Sequence, residues 1–192
     1  MVNKEAIRKE IIEKSKAVFT KFGFQKSNLD EISIIVGKKK SSLYYYFESK
    51  EDIFRALIEH ESNLLFKELT KEVQKETDPV EKVRTFITFR YKRLTEIVTE
   101  YNAIKNDFLD YIHLVYSVRE KFDALEIELL EQILSDGTDD GTFKIINTNL
   151  TAKAIFLAIK GIQMPFIVSP IPIDIDKRVK EIINLIFNGI MK

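Results

Sequence analysis

The sequence predicts an all-α protein of about nine helices. Apolar residues recur at helical spacing along most of the 192 residues, and very few stretches alternate with the period of a β-strand. Hydrophobic residues make up 45% of the chain, which is enough for a sizeable core, and cysteine is absent. Disulfide scaffolds, thiolate metal sites and thiol nucleophiles are therefore excluded.

The first three predicted helices form a compact motif at the N-terminus. Gly23 should end the first helix, because glycine readily adopts a left-handed conformation. A short helix is predicted over Leu29 to about Val36, since Asn28 and Glu31 have the spacing of a capping box and Gly37 stops it. A third helix should begin a few residues later and reach Phe47. Two short helices joined by a tight glycine turn predict a helix-turn-helix, whose second helix lies in the major groove of DNA. The first helix is predicted by one apolar stripe: Ile7, Ile11, Val18, Phe19 and Phe22.

The middle of the chain continues the helical pattern. A long helix is predicted from about Lys50 to Lys75, and Asp78-Pro79 should break it. Three further helices are predicted over residues 80–101, 104–116 and 122–133, followed by a polar turn at 135–142.

The C-terminal part should contain two more helices. A helix over 152–163, capped by Asn149 or Thr151, would be apolar on nearly every side. Pro165, Pro170 and Pro172 predict a loop after it. The last helix, starting after Asp174 or Asp176, has the cleanest amphipathic stripe: Val179, Ile182, Ile183, Ile186, Phe187 and Ile190.

Charge is unevenly distributed although the chain is neutral overall. Residues 1–50 contain eleven basic and six acidic groups, so the remainder has an excess of acidic groups. A basic head on an acidic body indicates that the head meets a polyanion, although surface charge also fluctuates this much without a function.

The second helix of the motif begins with hydrogen-bond donors, Lys38-Lys39-Lys40-Ser41-Ser42. Lysines at a helix N-terminus repel the helix dipole, so they add nothing to an isolated fold, whereas a phosphate partner makes them favourable. Phenolic groups follow and can reach phosphate oxygens. Ser49 should cap the next helix and place Lys50 in its first turn, where it could hold a backbone phosphate.

Residues 23–54 read Gly-Phe-x-x-Ser-Asn-Leu-x-x-Ile-x(4)-Gly-x(4)-Ser-Leu-Tyr-Tyr-Tyr-Phe-x-Ser-Lys-Glu-Asp-Ile-Phe. This motif resembles the N-terminal signature of the TetR (tetracycline-repressor-like) transcriptional regulators, over about residues 4–60. The remainder resembles that family only in length and helical layout. The resemblance implies a DNA-binding head over residues 1–49, with the helix-turn-helix at about 28–47, and a ligand-binding and dimerisation domain over 50–192.

The family's contact pattern implies which side chains meet DNA. Lys39, Lys40, Ser41, Ser42 and Tyr45 would face bases or adjacent phosphates. Asn28, Tyr44, Tyr46 and Lys50 would hold the backbone, although Tyr44 could equally be a packing residue. Lys38 is added to the residues expected to contact DNA. It departs from the family pattern, which usually has a small apolar residue at that position, and Ser33 and Ser41 are smaller departures from the pattern.

The resemblance also implies a homodimer that binds double-stranded operator DNA. The helices over 152–163 and 179–190 would pack against the same helices of a second copy. Their apolar faces independently favour such a partner surface, and the alternative is that both helices are buried in one large core. A small apolar or aromatic effector is expected to bind within residues 50–192. Its binding site would be lined by some of the following residues, each of which could instead be an ordinary core residue: Phe86, Phe89, Arg90, Phe108, Tyr111, His113 and Gln163.

Enzyme chemistry finds no support in the sequence. His60 and His113 are the only histidines, and no nucleophile, metal-ligand or phosphate-cradling constellation accompanies them. Asp136-x-Thr-x-Asp-Gly141 opens like a calcium loop, but Asn147 stands at the twelfth position, where a bidentate Glu is needed. We therefore expect neither metal nor cofactor.

The sequence predicts a ligand-responsive, homodimeric DNA-binding regulator, most simply a repressor released from a near-palindromic operator. No apolar stretch is long enough to cross a bilayer and the N-terminus has no signal core, so we expect a cytoplasmic protein with no membrane partner. The alternative is a helical protein–protein adaptor whose head has lost DNA binding.

Overall fold

The structure, a computed structural model, describes residues 4–100, 108–168 and 174–191. Within these ranges the chain forms eight helices and no strand, which confirms the all-α class; one isolated bridge joins Phe143 and Met191. The helices are α1 (Lys4–Lys26), α2 (Leu29–Val36), α3 (Lys40–Tyr44), α4 (Lys50–Val73), α5 (Pro79–Glu100), α6 (Phe108–Asp139), α7 (Thr148–Val168) and α8 (Ile175–Ile190).

The chain divides into two compact units. The first comprises Met1–Asn63 and Ile97–Glu120, and the second comprises Leu64–Glu96 and Lys121–Lys192. Residues 50–63 of α4 therefore belong to the first unit and residues 64–73 to the second. The functional division at residue 50 stays a prediction.

The first unit has an aromatic centre that fixes α1 and α4. The Phe54 ring centroid lies 5.0 Å from that of Phe19 and 5.3 Å from that of Tyr111, and the centroids of Phe24 and Tyr111 are 5.4 Å apart. All four side chains are buried. Edge-to-face and tilted ring pairs of this kind add to the free energy gained by burying apolar area.

The start and stop predicted for α2 are confirmed, whereas the helix end predicted at Gly23 is a bend within α1, which continues to Lys26. Gly23 has φ 78° inside α1 and bends the chain there. Asn28 caps α2 by accepting from the amides of Asp30 and Glu31, and the Glu31 carboxylate accepts from the Asn28 amide. Gly37 has φ 71° and ends α2. The third helix is shorter than predicted, because α3 ends at Tyr44 and a hydrogen-bonded turn brings the chain to Phe47.

The second unit is built around a core from α4 to α8. Phe86, Ile87, Leu130, Phe156 and Ile159 are among its fully buried side chains. Most of its core residues follow the helical stripes that the sequence shows, so apolar burial accounts for the assembly of these helices.

The junctions in the second half of the chain differ from the prediction. The helices predicted over 104–116 and 122–133 are one helix, α6, within the described residues. No glycine or proline separates the two apolar stripes, so nothing interrupts the hydrogen-bonding ladder. The polar turn predicted from residue 135 begins later, because Gly137 remains helical and lets the Phe143 ring pack closely; an added Cβ there would lie 2.4 Å from a ring carbon.

The ends of the last two helices also refine the prediction. Asn147, and neither Asn149 nor Thr151, caps α7 by accepting from the Leu150 amide at 2.9 Å. This helix continues through Pro165 to Val168, so the loop predicted at Pro165 is wrong; Pro170 and Pro172 lie outside the described residues. A proline in a helix removes one backbone donor, and α7 tolerates that loss.

Of the two predicted start residues Asp174 and Asp176, Asp174 caps α8 by accepting from the Lys177 amide at 3.0 Å. Among the described residues, none of the helices combines the length and apolarity that a membrane crossing requires.

Candidate nucleic-acid interface

The recognition segment, defined as residues 38–47, is held by two buried side chains. Leu43 is fully buried in α3 and Phe47 is buried just after it, so the four-residue spacing anchors the segment to the core of the first unit. The opposite side is open: Tyr44 is 51% exposed and Tyr45 is 67% exposed, while Tyr46 is half-buried. The Tyr45 and Tyr46 rings meet edge to face at 5.0 Å.

The lysines of the segment have different surroundings. Lys39 and Lys40 are exposed, and Lys38 is half-buried. The Lys40 Nζ lies 2.9 Å from Asp30 Oδ2 on α2, and the Lys38 Nζ lies 3.5 Å from Glu10 Oε2 on α1. The hydrogen bond from Lys40 to the Asp30 carboxylate raises the pKa of that lysine, which is therefore charged at neutral pH.

The remaining polar residues of the predicted contact set divide between open and occupied positions. Ser41 is exposed and Ser42 is half-buried beside it. The Asn28 side-chain oxygen is occupied by the α2 cap. Contacts of these residues with DNA stay a prediction.

Lys50 has structural contacts in the first unit. Its Nζ donates to the carbonyl of Phe24 at 2.8 Å and to that of Ser27 at 3.0 Å, and it lies 4.4 Å from the Phe24 ring centroid. Ser49 caps α4, accepting from the Asp52 amide at 3.1 Å. Lys50 thus ties the start of α4 to the α1–α2 junction, and its predicted contact with phosphate requires these carbonyl contacts to loosen.

Arg8 and Lys4 also contact the segment, and neither is among the residues predicted from the sequence to bind DNA. The Arg8 guanidinium donates to the Tyr46 carbonyl at 3.0 Å and stacks on the Phe47 ring, 4.3 Å from its centroid. The Lys4 Nζ lies 4.8 Å from the Tyr45 ring centroid. Both come from the first turns of α1, so the sequence offered only a basic helix start as a signal.

The chemistry of this surface is that of a polyanion contact. Amine, hydroxyl and phenol donors lie on the open side of a short helix that follows a capped helix and a glycine turn. Such donors bind phosphate oxygens and base edges.

Comparison with known proteins identifies the family. The model of bacterial regulatory proteins of the tetR family matches residues 11–57, which contain the capped helix, the glycine turn and the recognition segment. The transcriptional regulator QacR of Staphylococcus aureus is 25% identical over 162 residues, covering 81% of this chain and 84% of that protein. The chain is a transcriptional regulator of the TetR family. Its relatives are regulators and not enzymes.

The TetR fold extends over nearly the whole chain. A transcriptional regulator from Cytophaga hutchinsonii superposes with a TM-score of 0.79 at 25% identity, over 95% of this chain and 97% of that one. The regulator FadR from Bacillus subtilis, in complex with stearoyl-CoA, has a TM-score of 0.70 at 17% identity, over 94% of this chain and 98% of that one. The second likeness shows the fold alone.

The predicted effector residues of this TetR regulator fall in both units. Phe86 and Arg90 are buried in the second unit, and Phe89 is half-buried against the same core. Tyr111 packs in the aromatic centre of the first unit, and His113 is exposed in that unit. The side chains of Phe108 and Gln163 lie outside the described part of the structure. A pocket formed by these residues stays a prediction.

Ion pairs join α6 to α5 and to α7 in the second unit. Arg90 on α5 pairs with Glu126 on α6; both are buried, and the Arg90 guanidinium lies 4.7 Å from the Phe156 ring centroid. Asp123, one turn before Glu126, pairs with Lys160 on α7. Charged groups are thus placed among the aromatic side chains of the body.

Apolar residues remain exposed on the two C-terminal helices. Leu157 on α7 is 67% exposed, and Ala154, three residues before it, and Ala158, directly after it, are also exposed. Leu185 on α8 is 71% exposed. The prediction that α7 is apolar on nearly every side agrees with this exposure.

Proposed function

We propose that this TetR-family protein is a homodimeric, ligand-responsive repressor that acts in the cytoplasm. A small apolar or aromatic effector would release it from a near-palindromic operator. The observation that carries the DNA-binding role is the open side of α3, where Lys39, Ser41, Tyr44 and Tyr45 are exposed over the buried Leu43. A fold gains nothing from exposing these donors together, whereas a phosphate backbone satisfies all of them.

The division of labour within the segment follows from its geometry. Side chains at the start of α3 enter the major groove first, so Lys39, Lys40 and Ser41 would meet base edges or adjacent phosphates. Tyr44 and Tyr45 would reach phosphates at the groove edge, and Tyr45 is the more exposed of the two. Lysine donates to guanine, so a half-site containing G–C pairs fits this set.

The dimer is proposed from the exposed apolar side chains of α7 and α8. Leu157 and Leu185 would each lose water by pairing with the same helices of a second copy, in the self-complementary contact that a two-fold axis imposes. Two recognition helices would then meet successive major grooves about 34 Å apart. This spacing is what a near-palindromic operator requires.

The effector is proposed to bind in the body and to change the separation of the two heads. The half-buried Phe89 and its buried neighbours supply apolar surface, and Arg90 supplies a polar group. The Bacillus subtilis regulator of the same fold is solved in complex with stearoyl-CoA, so this fold can hold a ligand with a long apolar part. Because α4 contributes residues to both units, a ligand that favours one position of α4 would shift the population of DNA-competent dimers.

Genomic affinity selection with the purified protein tests this proposal. The recovered DNA is then measured for binding at two salt concentrations, and the protein's mass is determined in solution. We expect a short inverted repeat, a dimer, and an affinity that falls steeply as salt rises. Lys39→Ala and Tyr45→Ala should weaken binding without changing the mass of the dimer, and unfolding or monomerisation by either substitution would contradict a surface role.

The adaptor is the second candidate, and the pairing of Lys38 with Glu10 is the observation that favours it. A lysine whose charge is already compensated contributes less to a DNA contact. Recovery of no DNA above background, with a folded dimer in hand and in the presence of candidate effectors, would replace the regulator proposal with the adaptor.

A further inference from the structure

Two of the three consecutive lysines of the recognition segment are paired with carboxylates of neighbouring helices. Lys40 pairs with Asp30, which belongs to the first turn of α2, and Lys38 pairs with Glu10 on α1. Glu10 also accepts a hydrogen bond from Lys14 at 2.8 Å, and the two lysines lower the pKa of its carboxyl group. Glu10 is therefore ionised at neutral pH, and both carboxylates lie beside the surface that would face DNA.

The Lys40–Asp30 pair is of the kind that a phosphate can displace. Asp30 and Lys40 are exposed, and exposed ion pairs add little to stability because water and salt screen them. A DNA phosphate offers the lysine an equivalent acceptor together with the release of a condensed counterion. When Lys40 moves to phosphate, however, the Asp30 carboxylate loses its partner and must take up a cation from solution, which cancels most of the gain.

We propose that Asp30 is an internal competitor of the DNA backbone for Lys40, and that Glu10 has the same relation to Lys38. The two carboxylates lower the affinity of the head for DNA of arbitrary sequence, so that binding depends on groups that they do not neutralise, among them the exposed Lys39 and Tyr45. A DNA-binding protein gains specificity when such unfavourable interactions weaken its binding to DNA of the wrong sequence. This inference rests on the proposed DNA-binding function of the segment.

The test compares Asp30→Asn with wild-type protein on a labelled duplex of random sequence, titrated between ~50 and ~200 mM salt. Asn keeps the shape of the side chain and removes the charge. We expect tighter binding and a plot of log affinity against log salt that is steeper by about 0.9, the value for one additional phosphate contact. This steeper slope means that the affinity ratio between the two salt concentrations grows about 3.5-fold.

Asp176→Asn is the matched control. Asp176 is also an exposed aspartate in the first turn of a helix, α8, but it belongs to the second unit, so its substitution makes the same change in net charge and in helix-dipole interaction. We expect its salt slope to equal that of the wild type. Circular dichroism and solution mass should be unchanged for both variants.

A second pair of variants isolates the competition from general repulsion. If Asp30 acts by holding Lys40, the gain from Asp30→Asn should be clearly smaller in a Lys40→Ala background, and Lys39→Ala should weaken binding more than Lys40→Ala does. An equal gain in both backgrounds would overturn the proposal, because Asp30 would then act only by repelling DNA at a distance. Unchanged or weaker binding by folded Asp30→Asn would also overturn it. Failure of wild-type protein to bind any duplex would refute the DNA-binding function itself.

Discussion

The buried ion pair between Arg90 and Glu126 should make the second unit highly sensitive to loss of one charge. Arg90 is 4% exposed and Glu126 is fully buried, so solvent cannot replace the missing partner. Glu126→Gln removes the carboxylate charge that pairs with the buried guanidinium, and removing one member of a buried pair costs about 3–5 kcal/mol. For a chain of this size the melting temperature should fall by about 6–20 °C.

Urea and thermal unfolding followed by circular dichroism measure this loss, and a double variant checks its cause. Arg90→Met combined with Glu126→Leu removes both charges and keeps apolar volume beside Phe156, so it should recover most of the lost stability. Glu72→Gln is the control, because half-buried Glu72 pairs with the exposed Lys75 at 2.6 Å at the surface, and loss of this pair should leave the unfolding midpoint near that of the wild type. A Glu126→Gln protein as stable as the Glu72→Gln protein would refute the reasoning.

Three further substitutions have defined outcomes. Arg8→Ala should weaken DNA binding about two- to tenfold through loss of the hydrogen bond to the Tyr46 carbonyl, with an unchanged salt slope; a shallower slope would instead make Arg8 a phosphate contact. Gly37→Ala should lower the free energy of unfolding by about 1–2 kcal/mol because φ is 71°, and a loss beyond this in denaturant titrations would indicate a clash where the structure has open space. Burial raises the pKa of Tyr91 to about 12, so its contribution to stability should be complete below pH ~10 and lost as the pH rises toward 12; Tyr91→Phe should remove this dependence in pH-resolved unfolding.

Local sequence signals predicted the DNA-binding head because its helix ends depend on neighbouring residues. Asn28 and Glu31 are three residues apart, and Gly37 adopts the left-handed conformation at the position where α2 stops. The end of α3 was not predictable in the same way. Leu43 and Phe47 face inward at a spacing of four whether the chain between them is helical or a turn, so the apolar pattern could not distinguish the two.

Tertiary contacts decided the junctions that the sequence missed. Gly137 indicated a turn, but its missing side chain gives the Phe143 ring room against α6. The functional surface shows the same limit: Lys40 and Asp30 are ten residues apart, and Arg8 is separated from Tyr46 by 38 residues. The composition predicted that basic groups gather in the head. It could not predict which of these groups form ion pairs with carboxylates, because that depends on how α1, α2 and α3 pack.

The short helix α3 of the recognition segment does not form on account of its own sequence alone. A helix of five residues is far below the length that is stable in water, because nucleation costs more than one or two hydrogen bonds return. Its conformation therefore depends on burial of Leu43 and Phe47, on the Arg8 contact to the Tyr46 carbonyl, and on Lys50 holding the start of α4. Each of these contacts comes from another helix or the core. Substitutions that remove only these supporting contacts, such as Arg8→Ala in α1, should consequently change DNA affinity without changing its salt dependence, in contrast to substitution of the carboxylates Glu10 and Asp30.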